Sequence, residues 1–455
     1  MQTVNPNAAL QQAEDPGDSG VVGYEQFEYA SVTDIGMLRS SNQDCHAALL
    51  ATDGEQWQQQ GHIFLVADGM GAHAVGELAS ELAANIIPHT YHKHARDGPA
   101  VALRKAFVEA NASIHTRGQQ NREFHGMGTT ATAVLLRPEG AWVAHVGDSR
   151  AYRIREGCIE QLSFDHSLVW ELARRQKTDP NGMQGVPKNV IIRSLGPEPL
   201  VQVDIEGPHP VEPGDTFVLC SDGLSGQLTD REIGAVTSVL PPAEACRFLV
   251  NLANVRGGPD NITVSVVHVG GIVSPPKPEA PPIEARTPLY RRPMTLLIMG
   301  VVFAAVAALL AGVTHAAGEE DRVRVYIAFC LAAVGLLSGL IGLGIYSLRE
   351  KPPSPAAIGA GNLSIYVQSP CPIERPLLDR MASAEAGLKR WTQDHNWEAD
   401  WVTNKRHCEL ANALLGQGDL VGAFREYCRA LRPFAEVVQR ERLRDDTSQP
   451  MWERT

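Results

Sequence analysis

What this 455-residue chain lacks already narrows its chemistry. Its eight cysteines are scattered, with no C-x-x-C pair and no zinc-like spacing. Neither a thiolate zinc module nor a disulfide framework is written there, and the pattern reads as reduced thiols of a cytosolic compartment. Residues 1–20 lack the basic start and apolar core of a signal peptide and read as part of a disordered lead-in over 1–24. Basic residues are scarce in the first part of the chain: residues 1–271 hold 19 Lys and Arg against 32 Asp and Glu, whereas the remainder is nearly neutral. That balance disfavours nucleic acid as a partner, because phosphate backbones are held by Lys and Arg. Carboxylates are in surplus.

The central stretch is Ile63-Phe-Leu-Val-Ala-Asp-Gly-Met-Gly71, an apolar run of strand length that stops at an acid and glycines. Taken alone, Asp68-Gly69 is either an ordinary turn or a carboxylate and a bare carbonyl suited to a hard divalent cation. The device recurs. Asp215-Thr-Phe-Val-Leu-Cys-Ser-Asp-Gly-Leu224 runs into Asp222-Gly223, Asp260-Asn-Ile-Thr-Val-Ser-Val-Val267 opens a strand with an acid, and Asp148 follows Gly147 between two strand candidates. If Asp68, Asp148, Asp222 and Asp260 converge, they form a site without nitrogen or sulfur ligands, which selects Mg²⁺ or Mn²⁺ over zinc. Two such cations can share a water and lower its pKa for in-line attack on phosphorus. Arg39, the single cation of Leu38–Asp44, offers a planar fork for phosphate oxygens. The plainer readings are a hairpin residue for Asp148, a surface residue for Arg39 and a helix N-cap for Asp165.

Periodicity supplies the frame. Phe27–Thr33 and Cys45–Ala51 read as strands, and Val75–His89 and Val101–Ile114 as amphipathic helices on a sheet. Thr129–Leu136, Ala141–Val146, Ser149–Ile154 and Ile159–Leu162 follow at hairpin spacings, predicting an antiparallel meander. After a loop-rich insert from Asp165 to Asn189, Thr229-x-x-Glu232 has the form of a capping box and Pro242–Val255 reads as a helix. The expected class is α+β, a central antiparallel β-sandwich with helices on both faces over residues 25–271.

A proline-rich linker spans 272–293. Within 294–348 the stretches Met294–Ala317 and Val323–Leu348 are each long enough to cross a membrane and show no polar face. Arg286, Arg291, Arg292, Arg349 and Lys351 flank the pair, against Arg322 and Arg324 in the link, so both chain ends are expected on the cytoplasmic side of a two-helix membrane anchor. Gly335 and Gly339 suit either close packing of that hairpin or dimerisation. A second linker over 349–360 leads to a small all-α C-terminal domain over 361–455, with Trp391, Trp397 and Trp401 available for its core. Leu414–Leu431 suits either a tetratricopeptide-like unit or a plain helical bundle, and an adaptor role recruiting a protein partner is one reading of it.

The ordered set Arg39-Ser-Ser-Asn-Gln-Asp44, Val66-Ala-Asp-Gly-Met-Gly71, Gly128-Thr-Thr130, His145-Val-Gly-Asp-Ser-Arg150, Asp165-His-Ser167, Ser221-Asp-Gly-Leu224 and Asp260-Asn-Ile-Thr263 resembles the bacterial form of the PPM (type 2C) metal-dependent serine/threonine phosphatases. The resemblance implies a two-metal site for Mn²⁺ or Mg²⁺. Asp68 would bridge the metals, Gly69 would bind through its carbonyl, and Asp222 and Asp260 would complete the inner ligands. Arg39 would hold the substrate phosphate, with Asp44 close behind through water. Asp148, with Asp222, would match a third, weaker metal site. Residues 178–189 would be the variable flap. Two departures stand out: Ala72 replaces a glycine of the usual motif, and Met70 stands where members with a general-acid histidine carry it. The proton donor is therefore unassigned, with His73 either a helix-start residue or a candidate.

The implied function is hydrolysis of phosphoserine and phosphothreonine on cytoplasmic proteins, opposing a serine/threonine kinase, by a membrane-tethered enzyme. The alternative is a catalytically silent sensor or scaffold of the same fold.

Overall fold

A computed structural model describes residues 19–22, 27–71, 74–176, 178, 180, 183, 185–187, 190–270 and 368–448. In chain order the first elements are β1 (Ser19–Val22), β2 (Phe27–Asp34), β3 (Asp44–Leu49), α1 (Gly54–Gln59), β4 (His62–Met70), α2 (Ala74–His94) and α3 (Pro99–Gln120). Then come β5 (Gly128–Thr129), β6 (Ala131–Arg137), β7 (Gly140–Val146), β8 (Arg150–Arg155), β9 (Cys158–Gln161), α4 (Leu168–Gln176) and β10 (Asp204–His209). β11 (Thr216–Cys220), α5 (Asp222–Ser225), α6 (Asp230–Thr237), α7 (Pro242–Val255) and β12 (Ile262–Val269) follow. Past the undescribed residues lie β13 (Gln368–Pro370), α8 (Arg375–Asp394), α9 (Trp401–Gly416) and α10 (Leu420–Ser448).

The strands form two sheets, in the orders β1-β2-β12-β11-β8-β9-β13 and β10-β7-β6-β4-β3, with β5 added to β4. Their facing sides share an apolar layer that includes Phe27, Phe64, Val66, Val134, Phe217, Leu219 and Val267. α2 and α3 cover the outer face of the shorter sheet through Ala83, Ile87, Leu103 and Phe107. α6 and α7 cover the other through Ile233, Phe248 and Leu249. This is the expected sandwich with helices on both faces. Thr229 and Glu232 form the reciprocal capping box that the sequence promises at the start of α6.

Four expectations change. The four strand candidates from 129 to 162 are not one meander. β6 pairs with β7 and β8 with β9, in different sheets. Gly147-Asp148-Ser149 is the crossing between sheets, and Gly147 has φ +119° with Thr130 against it. Hairpin spacing alone does not tell a turn from a crossover. The lead-in is also shorter than 1–24, because Ser19–Val22 pairs with β2. β10, past the loop-rich insert in a stretch without strand periodicity, adds an edge to the shorter sheet. Last, the C-terminal residues share a core with the sandwich instead of building their own.

That sharing is extensive. β13 extends the seven-stranded sheet by pairing with β9, Ser369 opposite Ile159. Cys371 follows, its N–H donating to Gly157 O at 2.8 Å and its thiol buried against Gly234 of α6. Leu378, Phe424, Leu431 and Phe434 then join the apolar cluster of α6 and α7. α10 is pinned to α7 by Arg429 Nε on Glu244 Oε2 at 2.9 Å, and to the turn between α6 and α7 by Arg425 Nε on Val239 O at 3.0 Å. A tetratricopeptide reading finds no support: α10 runs 29 residues and packs on both α8 and α9 as a three-helix bundle. All described residues belong to one compact unit. The apolar stretches expected to span a membrane, and His73, lie outside the described residues. Among the described residues no helix is long and apolar enough to cross a membrane, and every cysteine is free.

Candidate active site

The acidic residues singled out in the sequence sit at neighbouring strand ends. Asp44 opens β3 directly opposite Asp68 on β4. Asp68 is locked by its own backbone, its N–H donating to Thr130 Oγ1 at 2.9 Å and its carbonyl accepting from Thr130 N at 2.8 Å. Thr130 Oγ1 in turn meets Ser149 Oγ at 2.7 Å, beside Asp148 at the sheet crossing. Gly69 has no room for a side chain, since a Cβ would come 2.1 Å from Gly76 O of α2.

Asp222 and Asp260 arrive from the other sheet. β11 ends at Cys220 and Asp222 begins α5, while Asp260 precedes β12. A Cβ on Gly223 would lie 1.9 Å from Asn261 O, so only glycine lets these two turns close on each other. Asn261 is the rivet: its Nδ2 donates to Ile35 O and Ser41 O at 2.9 and 3.0 Å, and its Oδ1 accepts from Gln43 N at 2.8 Å. The Arg39 loop is thus fastened above Asp260, and Arg39 Nη2 lies 2.6 Å from Asp260 Oδ2 with the guanidinium side chain 49% exposed. Ser221 joins the two halves, donating from Oγ to Asp44 Oδ2 at 2.7 Å and accepting from Thr263 N at 2.9 Å.

These carboxylates are near enough to perturb one another. Burial, then Asp44, Asp222, Asp148 and Asp260, hold Asp68 well above the usual carboxylate range. Burial, opposed by hydrogen bonds from Ser221 and Thr263, raises Asp44 to about 7, with Asp222 and Asp260 adding repulsion. Burial and Asp222 lift Asp148 to about 8. Burial and Asp260 raise Asp222, against a hydrogen bond with Asp68 and the charges of Arg39 and Arg150. Uncompensated carboxylates packed this way are costly unless a cation neutralises them. Among the described residues no three acidic, imidazole or thiol groups are already spaced to hold a metal ion between them. The fit to a hard divalent cation rests instead on an all-oxygen donor set and on Asp44 Oδ1 and Asp148 Oδ1, which are buried with no hydrogen-bond partner.

Behind Asp148 lies a support that the sequence did not reveal. Arg150 makes a fork on Asp165, Nε on Oδ1 and Oδ2 at 3.1 and 2.9 Å, and its Nη1 donates to Tyr152 Oη at 3.1 Å. Asp165 also accepts from Gln161 Nε2 at 2.7 Å. It is therefore a buried anchor for Arg150 rather than an N-cap of α4. Ser221, Asn261 and Thr130 were equally missed as supports, although each adjoins or lies within a motif already quoted. Their roles are hydrogen bonds across long sequence separations, which spacing does not encode.

Residues 37–253 match the family described as protein phosphatase 2C. The serine/threonine phosphatase Stp of Listeria monocytogenes is 34% identical over 242 residues, 52% of this chain and 93% of its own. Protein phosphatase PhpP of Streptococcus pneumoniae is 36% identical over 249 residues, 53% of this chain and 98% of its own. A solved catalytic domain of the serine/threonine phosphatase PstP, in complex with two manganese ions, is 31% identical over 54% of this chain and 98% of that one, with a TM-score of 0.45.

Proposed function

The chain belongs to the protein phosphatase 2C family, and from that premise we propose that this serine/threonine phosphatase acts on cytoplasmic phosphoproteins while tethered to a membrane. One observation carries the catalytic reading: the ends of both sheets bring Asp44, Asp68, Asp148, Asp222 and Asp260 into mutual electrostatic contact beside Arg39. Asp68, the Gly69 carbonyl, Asp222 and Asp260 would hold two Mn²⁺ or Mg²⁺ ions, and Asp148 with Asp222 would hold a third. When bound, such a pair supplies positive charge and an acidified water for attack on phosphorus. Arg39 has its guanidinium about half exposed and grips the substrate phosphate, while its contact with Asp260 keeps that grip over the metal ligands. Asp44, donated to by Ser221, orients the site from behind. A silent scaffold finds no favour here, because none of these carboxylates is replaced.

The tether reading rests on the apolar stretches within 294–348 and on topology. Residues 27–269 and 368–438 share one core, so both lie on one side of any membrane that the intervening chain crosses. The number of crossings is then even, as a two-helix hairpin requires, and the flanking arginines put the enzyme on the cytoplasmic side. Its substrates would be targets of a serine/threonine kinase at that surface.

The direct test is hydrolysis of phosphoserine, phosphothreonine and phosphotyrosine peptides by the full chain. Turnover of the first two with Mn²⁺ or Mg²⁺ is expected. Turnover restored by Zn²⁺ alone, or confined to phosphotyrosine, contradicts the reading.

A further inference from the structure

The matched family region ends at residue 253, far short of α10, yet α10 reaches the corner that carries Arg39. Gln439 Nε2 donates to Asp34 Oδ2 at 2.6 Å. The other oxygen of that carboxylate accepts from Gly36 N at 2.8 Å and from Asn254 Nδ2 at 3.0 Å. Asp34 is the last residue of β2 and the root of the Arg39 loop. Gly36, at φ +78°, presses so close that a Cβ would come 2.1 Å from Asp260 O. Met37 N then donates to Gly258 O at 2.7 Å, and Arg39 meets Asp260 two residues later. The path from tail to phosphate-binding arginine is therefore one side-chain contact and a five-residue loop pinned at both edges.

We propose that Gln439 is a positioning residue of the phosphatase, holding through Asp34 the loop that sets Arg39 against Asp260, so that substrate binding depends on the docking of the C-terminal helix. The proposal rests on the phosphatase reading above. Three donors fix the Asp34 carboxylate: Gly36 and Asn254 come from the sandwich and its helices, and Gln439 is the one supplied by the C-terminal helix α10. Taking it away leaves a half-buried carboxylate oxygen without its partner and frees the root of the loop. Docking of α10 itself survives such a change, because Arg425 and Arg429 hold the helix to Val239 and Glu244. Any event that lifts α10 would slacken the same corner. The tail thereby acts on substrate affinity without contributing an atom to the reaction.

The test uses the full-length protein in detergent with Mn²⁺ and a phosphothreonine peptide. Gln439→Glu sets one carboxylate against another and is expected to raise KM, and the inhibition constant of inorganic phosphate, about fivefold to tenfold, with kcat changed less than about twofold. Asp34→Asn combined with Gln439→Glu restores a donor and an acceptor with reversed polarity, and should bring KM back to within about twofold of the parent. Unchanged KM in Gln439→Glu, alongside an active parent, overturns the proposal. So does a fall in melting temperature with kcat and KM lost together and no recovery in the double variant, which would mark the contact as structural only. An inactive parent would instead sink the phosphatase reading.

Discussion

The Asp68 and Asp222 ends look alike in sequence, each an apolar strand running into Asp-Gly, yet the chain handles them differently. β4 continues as strand through Gly69 and Met70 and takes β5 as a further partner. β11 stops at Cys220 and the chain coils at once into α5. At the first end the aspartate is held by neutral hydroxyls, Thr130 above all. At the second it rides on a helical corner, and the α6 start beyond that corner is braced by a charge: Arg256 makes two hydrogen bonds to Glu232, at 3.0 and 2.7 Å, and Glu232 caps Thr229. One end is set by the sheet and the other by a salt-bridged corner. Both need glycine for the same reason, a backbone that another backbone touches.

The comparison can be broken most severely at the acids themselves. Asp68→Ala, at the end shared with Asp44, should lower kcat by about a thousandfold or more, and Asp222→Ala by a similar factor, with folding preserved. Peptide turnover and circular dichroism check both, and a variant retaining a tenth of the parental rate would remove that acid from the centre. A middle effect belongs to Asp44, which faces Asp68 across the strands and touches Ser221 beside Asp222. Asp44→Asn keeps the shape and should raise the Mn²⁺ needed for half-maximal activity about tenfold, the usual cost of losing a supporting group behind a metal ligand. Metal titration reads this directly.

The smallest effect sharpens the contrast by pH. Burial opposes ionisation of Glu232, but Arg256 and the Thr229 cap prevail and hold it down at about 2. Its folded pKa lies below the unfolded one, so its stabilisation is complete above about pH 4.5 and is lost as pH falls toward 2. Glu232→Gln should therefore cost about 2 kcal/mol near neutrality, with the difference from the parent vanishing in acid. Thermal melts from pH 7 to 3 test it; a difference that persists unchanged at pH 3 would assign the loss to packing.

Much of this was legible beforehand because it is local. Alternation marked β2, helical spacing marked α2 and α3, and T-x-x-E marked α6. The acids were legible because each punctuates an apolar run. The misreadings are of another kind. Gly147-Asp148 has the same residues whether it turns back or crosses between sheets, and the difference lies in the distant partners of β8, which are β9 and β11 rather than β7. β10 reads as Asp-Ile-Glu-Gly-Pro-His, without alternation, and is a strand because β7 offers it an edge. The tail looked independent because its helices are amphipathic, and amphipathicity does not say what the apolar face will meet. It meets α6 and α7.

The placement of β13 has a consequence in time. β9 borders the seven-stranded sheet until Gln368–Pro370 pairs with it, and a ribosome reaches those residues only after making both apolar stretches. A nascent chain therefore carries a bare strand border throughout that interval, the kind of surface on which aggregation is seeded. The last fifth of the polypeptide is what shields it.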